Sequence, residues 1–293
     1  MIEQVLYEHL QKNGEKIPSL AKYNCRPAIF NQEVPSDMDE GWCGGPQYGR
    51  IVFAVDLQGD PERDVSASLM VDIMCKENEQ YPEDIEPIVR ELIDGYFFSN
   101  GKVTMAAQWR ASSPFTEATD HVSGCTVTFD LLAFPILTTG NPDVIARINE
   151  WTAALPGLHV INYDDLPESA WKPNGTESAV YWYLAQDRDA GWIRNTFQTI
   201  WRTAIIKCHI FSADIDTAAA VAREIVVRLY AAKRLLKSGE SPIMVNQKNT
   251  LDYGADQLRT GQVTVEATYG IIVRYQNEKT IQHIESEEKK GDS

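Results

Sequence analysis

Residues 214–237, DIDTAAAVAREIVVRLYAAKRLLK, give the clearest secondary-structure signal in the chain. Apolar residues recur along one side of a 3.6-residue repeat, and they are Ala222, Ile225, Val226, Leu229 and Leu236. Asp214 and Asp216 stand at the start, where carboxylates cap free backbone amides, and Gly239 and Pro242 follow the end. The pattern predicts an amphipathic helix over 214–237 that covers one face of a sheet.

A second stretch of this kind lies upstream, at residues 82–98. Its apolar side consists of Ile85, Ile88, Val89, Leu92, Ile93 and Phe97. An alternating strand pattern at 68–75 precedes it, just as the β-rich segment 192–211 precedes the helix at 214–237. The chain is therefore expected to contain the same strand-and-helix pair twice.

Further matches extend the repeat beyond these two pairs. Val180 stands 129 residues after Ile51, each within an alternating strand pattern, and Trp171 follows Trp42 at the same spacing. The last strand gives the clearest match, since 263–266 (VTVE) follows 127–130 (VTFD) after 136 residues. Elements that recur in one order, with spacings that drift only by loop lengths, indicate a tandem duplication. The alternative is two unrelated α+β domains of similar size.

The predicted fold class is α+β, with two tandem copies of a unit whose mostly antiparallel sheet packs on helices. The units span 1–138 and 141–275, and 276–293 form a charged, flexible tail. Each unit is expected to run α-β-β-β-α-β-β, and a loop through Pro114 is expected to separate the last two strands of the first unit.

The net charge of −15 argues against a surface that coats nucleic acid. The charge is uneven, since residues 1–140 hold 22 acids and 10 bases while residues 141–275 hold 15 acids and 14 bases. No apolar run approaches the roughly 20 residues of a membrane helix, and residues 1–11 lack the features of a signal peptide. The two halves are thus expected to share a fold and to differ in surface.

Cysteine and histidine give no sign of a reactive or metal site. The five cysteines (Cys25, Cys43, Cys75, Cys125 and Cys208) form no CxxC pair and are predicted to be reduced core residues. The histidines are scattered, and His209 is expected to be a hydrogen-bonded strand residue. Nucleotide-binding, zinc-protease and nucleophile motifs are all absent. We therefore predict a protein that is not an enzyme, with no catalytic, cofactor or metal site.

Three polar stretches still need an interpretation. The segment Asp60, Glu62, Arg63 and Asp64 has the alternating carboxylates of a calcium loop, but it lacks the glycine and glutamate that such a loop requires. The corresponding place in the second unit holds Asp187, Arg188 and Asp189. Both are predicted to be solvated hairpin tips, and the sharper hypothesis makes them subunit-interface or pore-facing residues. A third acidic loop holds Asp37, Asp39 and Glu40.

The aromatic run Tyr181-Trp182-Tyr183 could stack on bases or on a ligand. Packing of the sheet against a helix is the favoured interpretation, because no basic residues cluster among these rings.

The order of elements resembles that of the tail-terminator and tail-completion proteins of long-tailed bacteriophages. The segments that carry the resemblance are the opening helix at 2–12, the strand at 26–31 running into Val34-Pro35, the strands at 51–57 and 69–75 with the helix that follows, and the closing strand at 127–134. The second unit matches more loosely, and the resemblance extends to about Tyr275. Members of that family are usually single units, so the duplication is a departure.

The resemblance implies a structural virion protein that closes the head-proximal end of a tail tube as a ring and joins it to the neck. Its partners would be copies of itself, the tail tube protein and a neck or head-completion protein, with DNA only as passing cargo through an acidic pore. Six copies are favoured and three are possible. The protein would assemble in the bacterial cytoplasm and end in the virion tail or neck. The alternatives are another head–tail connector, or an enzyme or ligand-binding protein with an unrecognised site near Asp37 and Glu40.

Overall fold

The structure is a computed structural model that describes residues 2–43, 47–56, 67–101, 103–117, 121–135, 139–140, 142–163, 166, 169–191, 193, 196, 198–236, 241–246, 248–254 and 261–272. The helices in these ranges are α1 (Ile2–Asn13), α2 (Pro82–Ile93), α3 (Val144–Ala153) and α4 (Ile215–Ala232). The strands of the first half are β1 (Lys22–Tyr23), β2 (Arg26–Pro27), β3 (Ile29–Asn31), β4 (Arg50–Asp56), β5 (Ala67–Lys76), β6 (Phe97–Ser99), β7 (Thr104–Glu117) and β8 (Val122–Phe134). Those of the second half are β9 (Leu158–Val160), β10 (Ala170–Trp171), β11 (Ser178–Asp189), β12 (Thr199–Phe211), β13 (Arg234–Leu235), β14 (Ile243–Val245), β15 (Thr250–Leu251) and β16 (Val263–Ile272).

Two large sheets form the framework, so the α+β prediction is confirmed. The first has the order β10-β6-β7-β8-β5-β4-β3, and the second has the order β13-β14-β16-β12-β11-β9, with β15 also paired to β16. If β10 is set aside, the two orders are the same when each strand is replaced by its counterpart in the chain. β3, β4, β5, β6, β7 and β8 correspond to β9, β11, β12, β13, β14 and β16.

The cross-strand register agrees between the sheets as well. Residues that face each other in the first sheet have counterparts that face each other in the second, at the spacings found in the sequence. The matched pairs are Ile29/Ile51 with Val160/Val180, Ile51/Ile73 with Val180/Ile210, and Leu69/Phe129 with Ile206/Val265. A shift of one residue would turn each strand's side chains to the opposite face, so this agreement also aligns the buried faces.

Each sheet begins with one parallel pair in an otherwise antiparallel arrangement, as β3 lies parallel to β4 and β9 lies parallel to β11. Parallel neighbours need a long crossover rather than a hairpin. The Pro- and Gly-rich stretch between Asn31 and Arg50 provides this crossover in the first half. In the second half the crossover carries β10, which leaves its own sheet and pairs with β6 of the other.

The helices cover one face of each sheet. One core packs α1 and α2 against β3, β4, β5 and β8, and a second core packs α3 and α4 against β11, β12 and β16. Leu229 of α4 and Val89 of α2 are completely buried in these cores. The predicted apolar sides of both helices are confirmed at these positions.

Both long helices end earlier than predicted. α4 stops at Ala232, because Lys233 has a left-handed backbone (φ 59°) and the chain continues as β13. The reversal buries Leu235 and leaves Leu236 72% exposed, so the placement of Leu236 on the buried stripe was wrong. α2 stops at Ile93, before the left-handed Gly95 (φ 74°), and Phe97 lies in β6.

Pro114 lies inside β7 opposite Cys125, so the predicted loop through Pro114 was wrong. β6 pairs with β7 only as far as Ala106, which leaves this part of β7 at an edge of the sheet. Proline is tolerated there because its missing N–H would face no neighbouring strand.

A third apolar cluster joins the two halves. It combines side chains from β6, β7 and β8 with others from β10, β11 and β12, and its buried members are Phe97, Ala106, Leu132, Phe134, Ile161, Trp171, Ala179, Tyr181 and Phe211. Hydrogen bonds cross the same junction, from Ser99 N to Ser169 O (3.0 Å) and from Tyr181 Oη to Pro135 O (3.0 Å). The halves therefore share a core as well as a sheet edge.

The start of α4 provides a pH-dependent test of helix capping. Asp214 accepts hydrogen bonds from the Thr217 backbone N (2.8 Å) and hydroxyl (2.7 Å), and these bonds hold the pKa of Asp214 below its ordinary value of 3.8. A lowered carboxyl pKa stabilises the fold fully above the ordinary value, and the stabilisation is lost as pH falls through the folded value. We expect Asp214→Ala to lower the melting temperature at pH 7, by an amount that shrinks at acidic pH.

Asp216→Ala is the matched control for this cap, because Asp216 lies in the same first turn but does not cap the helix. Thermal melts followed by circular dichroism across pH 2–7 would measure both variants. A loss for Asp214→Ala that is the same at every pH would contradict the capping role.

Candidate functional site: the open faces of the two sheets

The face of each sheet opposite its helices is the largest shared surface, and we call these two surfaces the open faces. Strand alternation assigns residues to them. In β5, Leu69, Val71 and Ile73 are buried under the helices, whereas Met70 and Asp72 point to the open face and keep contact with solvent.

Polar side chains on the open faces are paired with one another. In the first sheet, Thr126 donates a 2.6 Å hydrogen bond to Asp72, and Arg110 lies 3.5 Å from Asp130. Arg110 occupies the bulge of β7 between Trp109 and Ala111. These contacts neutralise the carboxylates of this face, so the described part of the first open face is not strongly acidic.

The second open face repeats this arrangement with different partners. Glu266, which stands 136 residues after Asp130, lies 3.7 Å from Arg188 of β11. Asn246 donates to Glu266 Oε1 (3.2 Å) and to Thr268 Oγ1 (3.1 Å). Equivalent carboxylates thus meet an arginine on both sheets, although the arginine comes from a different strand.

The predicted site residues are placed only in part. Asp60, Glu62, Arg63 and Asp64 lie outside the described residues. Asp187, Arg188 and Asp189 lie within β11, opposite Ala204, Thr203 and Arg202 of β12, so they are not the tip of the hairpin. All three are exposed, and their role at a subunit interface or pore stays a prediction.

Neighbouring side chains of β11 point to opposite faces of the second sheet. Arg188 reaches Glu266 on the open face, while Asp187 points to the helix side and pairs with Arg202 through both oxygens (3.1 and 3.2 Å). The hydrogen bond from Asp187 raises the pKa of Arg202. Burial, reinforced by Asp187, raises the pKa of Tyr269 to about 12. The Asp187 group therefore ties β11, β12 and β16 together at one end.

The aromatic run at 181–183 serves two surfaces. Trp182 lies in the helix-side core and donates its indole N–H to Thr152 Oγ1 (3.0 Å), so the predicted packing of sheet against helix is confirmed for this residue. Tyr181 and Tyr183 point the other way. They stack with His209 and Phe211 into a ladder, in which the rings of Tyr183 and His209 lie 5.1 Å apart. Burial raises the pKa of Tyr181 to about 12.

Acidic residues of the first unit are concentrated on its helix side. α2 exposes Glu83, Asp84 and Glu91, whereas α4 exposes Arg223 and Arg228 beside Glu224. Arg228 forms a 2.7 Å ion pair with Glu224. The contrast in surface charge expected from the sequence is thus present on the outer helices, and an acidic pore cannot be built from the described open faces alone.

A cavity of about 670 Å³ lies beside the acidic loop at 37–40. Its lining combines aromatic, amide and charged side chains, including Tyr7, Gln11, Tyr23, Arg26, Phe30 and Glu33. Asp39 accepts hydrogen bonds from the Tyr23 hydroxyl (3.0 Å) and from Gly41 N (2.8 Å), and Asp37 pairs with Arg50 at 2.8 Å. These two carboxylates hold the loop in place.

Within the described part of the chain, no three His, Cys, Asp or Glu side chains come together as a metal site. Among the same residues, no helix has both the length and the apolar character needed to cross a membrane. Neither the family models nor the curated proteins compared with this chain give a match.

Proposed function

We propose that the protein is a structural ring component of a phage or phage-like tail, which closes the head-proximal end of the tube and joins it to the neck. The observation that supports this most is the recurrence of one sheet order and one register in both halves. We infer a tandem duplication from it. Two similar tiles in one chain suit a closed ring, in which related surfaces meet repeatedly.

The outer helices suggest how the two tiles differ. α2 carries an acidic surface, while α4 mixes basic and acidic residues. Tiles with different surfaces suit different neighbours, for example one tile in the ring and one against the neck. This division favours six chains per ring, since three chains would have to use both tiles alike.

Mass photometry of the purified protein, alone and with tail tubes, tests the proposal. We expect a closed species of six chain masses, formed alone or on the tube end, and end-on density in electron micrographs of capped tubes. A species of three chain masses would keep the ring and overturn the division of roles. A monomer that never binds tubes would overturn the ring itself, and binding to a portal-side protein alone would favour the connector alternative.

One observation favours a second candidate, a small-ligand-binding protein. The cavity beside the 37–40 loop is large enough for a small molecule and presents Arg26 and Glu33 among aromatic rings. Arg26→Ala and Glu33→Ala would then abolish a ligand-induced rise in melting temperature. If no compound from a metabolite panel raises the melting temperature of the parent protein, this candidate fails.

A further inference from the structure

Two of the five cysteines differ from the others in their surroundings. Cys75, Cys125 and Cys208 are buried, as predicted, whereas Cys25 and Cys43 are exposed, and their prediction as core residues was wrong. The sulfur atoms of Cys25 and Cys43 lie 3.4 Å apart. This is close to van der Waals contact, whereas a disulfide bond needs about 2.05 Å.

The backbone already holds the two cysteines together. Tyr23 and Trp42 form an antiparallel bridge, in which Asn24 N donates to Gly41 O (2.7 Å) and Cys43 N donates to Lys22 O (3.0 Å). The rings of Tyr23 and Trp42 also pack 5.2 Å apart. The loop between the cysteines is therefore closed by non-covalent contacts, and bond formation needs little more than side-chain rotation.

The two thiols are not equivalent. Cys25 donates its backbone N–H to Cys43 Sγ at 3.1 Å, and such a donor favours negative charge on the Cys43 sulfur. The hydrogen bond to Cys43 raises the pKa of the Cys25 thiol, with a further contribution from the charge of Cys43. Cys43 is thus suited to attack as the thiolate, and Cys25 is suited to follow.

We propose that Cys25 and Cys43 form a redox-active dithiol site whose substrate is a small-molecule disulfide. The Cys43 thiolate attacks one sulfur of the disulfide, forms a mixed disulfide and releases the first thiolate. Cys25 then loses its proton and attacks Cys43 Sγ, which releases the second thiolate and closes the Cys25–Cys43 bond. Both cysteines are oxidised, and the external disulfide takes up the two electrons and becomes two thiols.

The bond would act on the cavity beside it. The loop between the cysteines contributes Arg26, Phe30, Glu33 and Pro35 to the cavity wall. A disulfide restricts the unfolded chain and makes opening of this loop more costly. Oxidation is therefore expected to fix the wall in its present position and to raise the melting temperature. The site is independent of the proposed ring function.

Glutathione disulfide, added to the reduced full-length protein, tests the site. Intact-mass spectrometry should show the loss of two hydrogens without bound glutathione, and non-reducing peptide mapping should recover the Cys25–Cys43 link. The three buried cysteines serve as internal controls and should stay reduced. The oxidised protein should melt several degrees higher, and dithiothreitol should reverse the shift.

The two exposed positions provide matched variants, Cys25→Ser and Cys43→Ser. Cys25→Ser should accumulate one glutathione on Cys43, because no second thiol resolves the mixed disulfide. Cys43→Ser should react about tenfold more slowly, because it keeps only the thiol with the raised pKa. A wild-type product with glutathione on either cysteine and no internal link would overturn the proposal. Equal reaction rates for the two variants would overturn the assigned roles.

Discussion

Replacement of Leu229 by aspartate is expected to unfold the second half of the protein. Leu229 is completely buried between α4 and its sheet. The change removes a packed side chain and buries a carboxylate without a partner, and each effect costs about 2–5 kcal/mol. The loss is a large share of the roughly 5–15 kcal/mol that keep a domain folded. Urea denaturation followed by circular dichroism would measure it.

Val227→Asp is the matched control for this change. Val227 lies on the same helix two positions earlier and is 60% exposed, so a carboxylate there stays in water. We expect the free energy of unfolding to change by no more than about 0.5 kcal/mol. If Leu229→Asp melts like the parent protein, or if both variants lose the same stability, the assignment of the buried face of α4 is wrong.

Replacement of Phe97 by alanine is expected to separate the unfolding of the two halves. Phe97 is buried at the centre of the shared cluster, with ring centroids 5.2 Å from Phe211, 5.7 Å from Trp171 and 6.1 Å from Phe134. Loss of its ring leaves a cavity that costs about 3–5 kcal/mol. Two of the three ring partners belong to the second half, so the loss falls on the contact between the halves.

Differential scanning calorimetry would detect this change. The parent protein should unfold in one transition, because the halves share a core and a sheet edge, and Phe97→Ala should show two transitions. Hydrogen exchange at Ala170 and Trp171 should also increase, since β10 pairs with β6 beside Phe97. Phe115→Ala is the control, because Phe115 lies on the same open face outside the cluster. An unchanged single transition would show that the cluster does not couple the halves.

The sequence predicted the local elements well because their signals are short-range. The apolar spacing of Ile225, Val226 and Leu229 follows from helix geometry, and all three residues are buried. Alternation in β5 and the 129-residue spacing from Ile51 to Val180 likewise correspond to real strand positions. The errors came at reversals. Nothing in the periodic pattern marks the left-handed Lys233, and beyond it Leu235 is buried in place of Leu236.

Segment ends were less certain even where the sequence held a signal. Gly95 could have been read as the end of α2, because a left-handed residue there needs little steric cost only as glycine. The apolar Phe97 continued the helical spacing by coincidence and concealed this signal. Its side chain belongs to the core between the halves instead.

By itself, the sequence determined the α+β class, the recurring order of elements and the buried sides of α2 and α4, since these depend on spacing along the chain. The tertiary structure alone decided that β10 joins the other sheet, that Phe97 links the halves, and that Cys25 meets Cys43. Each of these contacts joins segments that no local repeat relates. The physical reason is that they form where two completed surfaces or loops meet, and that meeting depends on the whole fold.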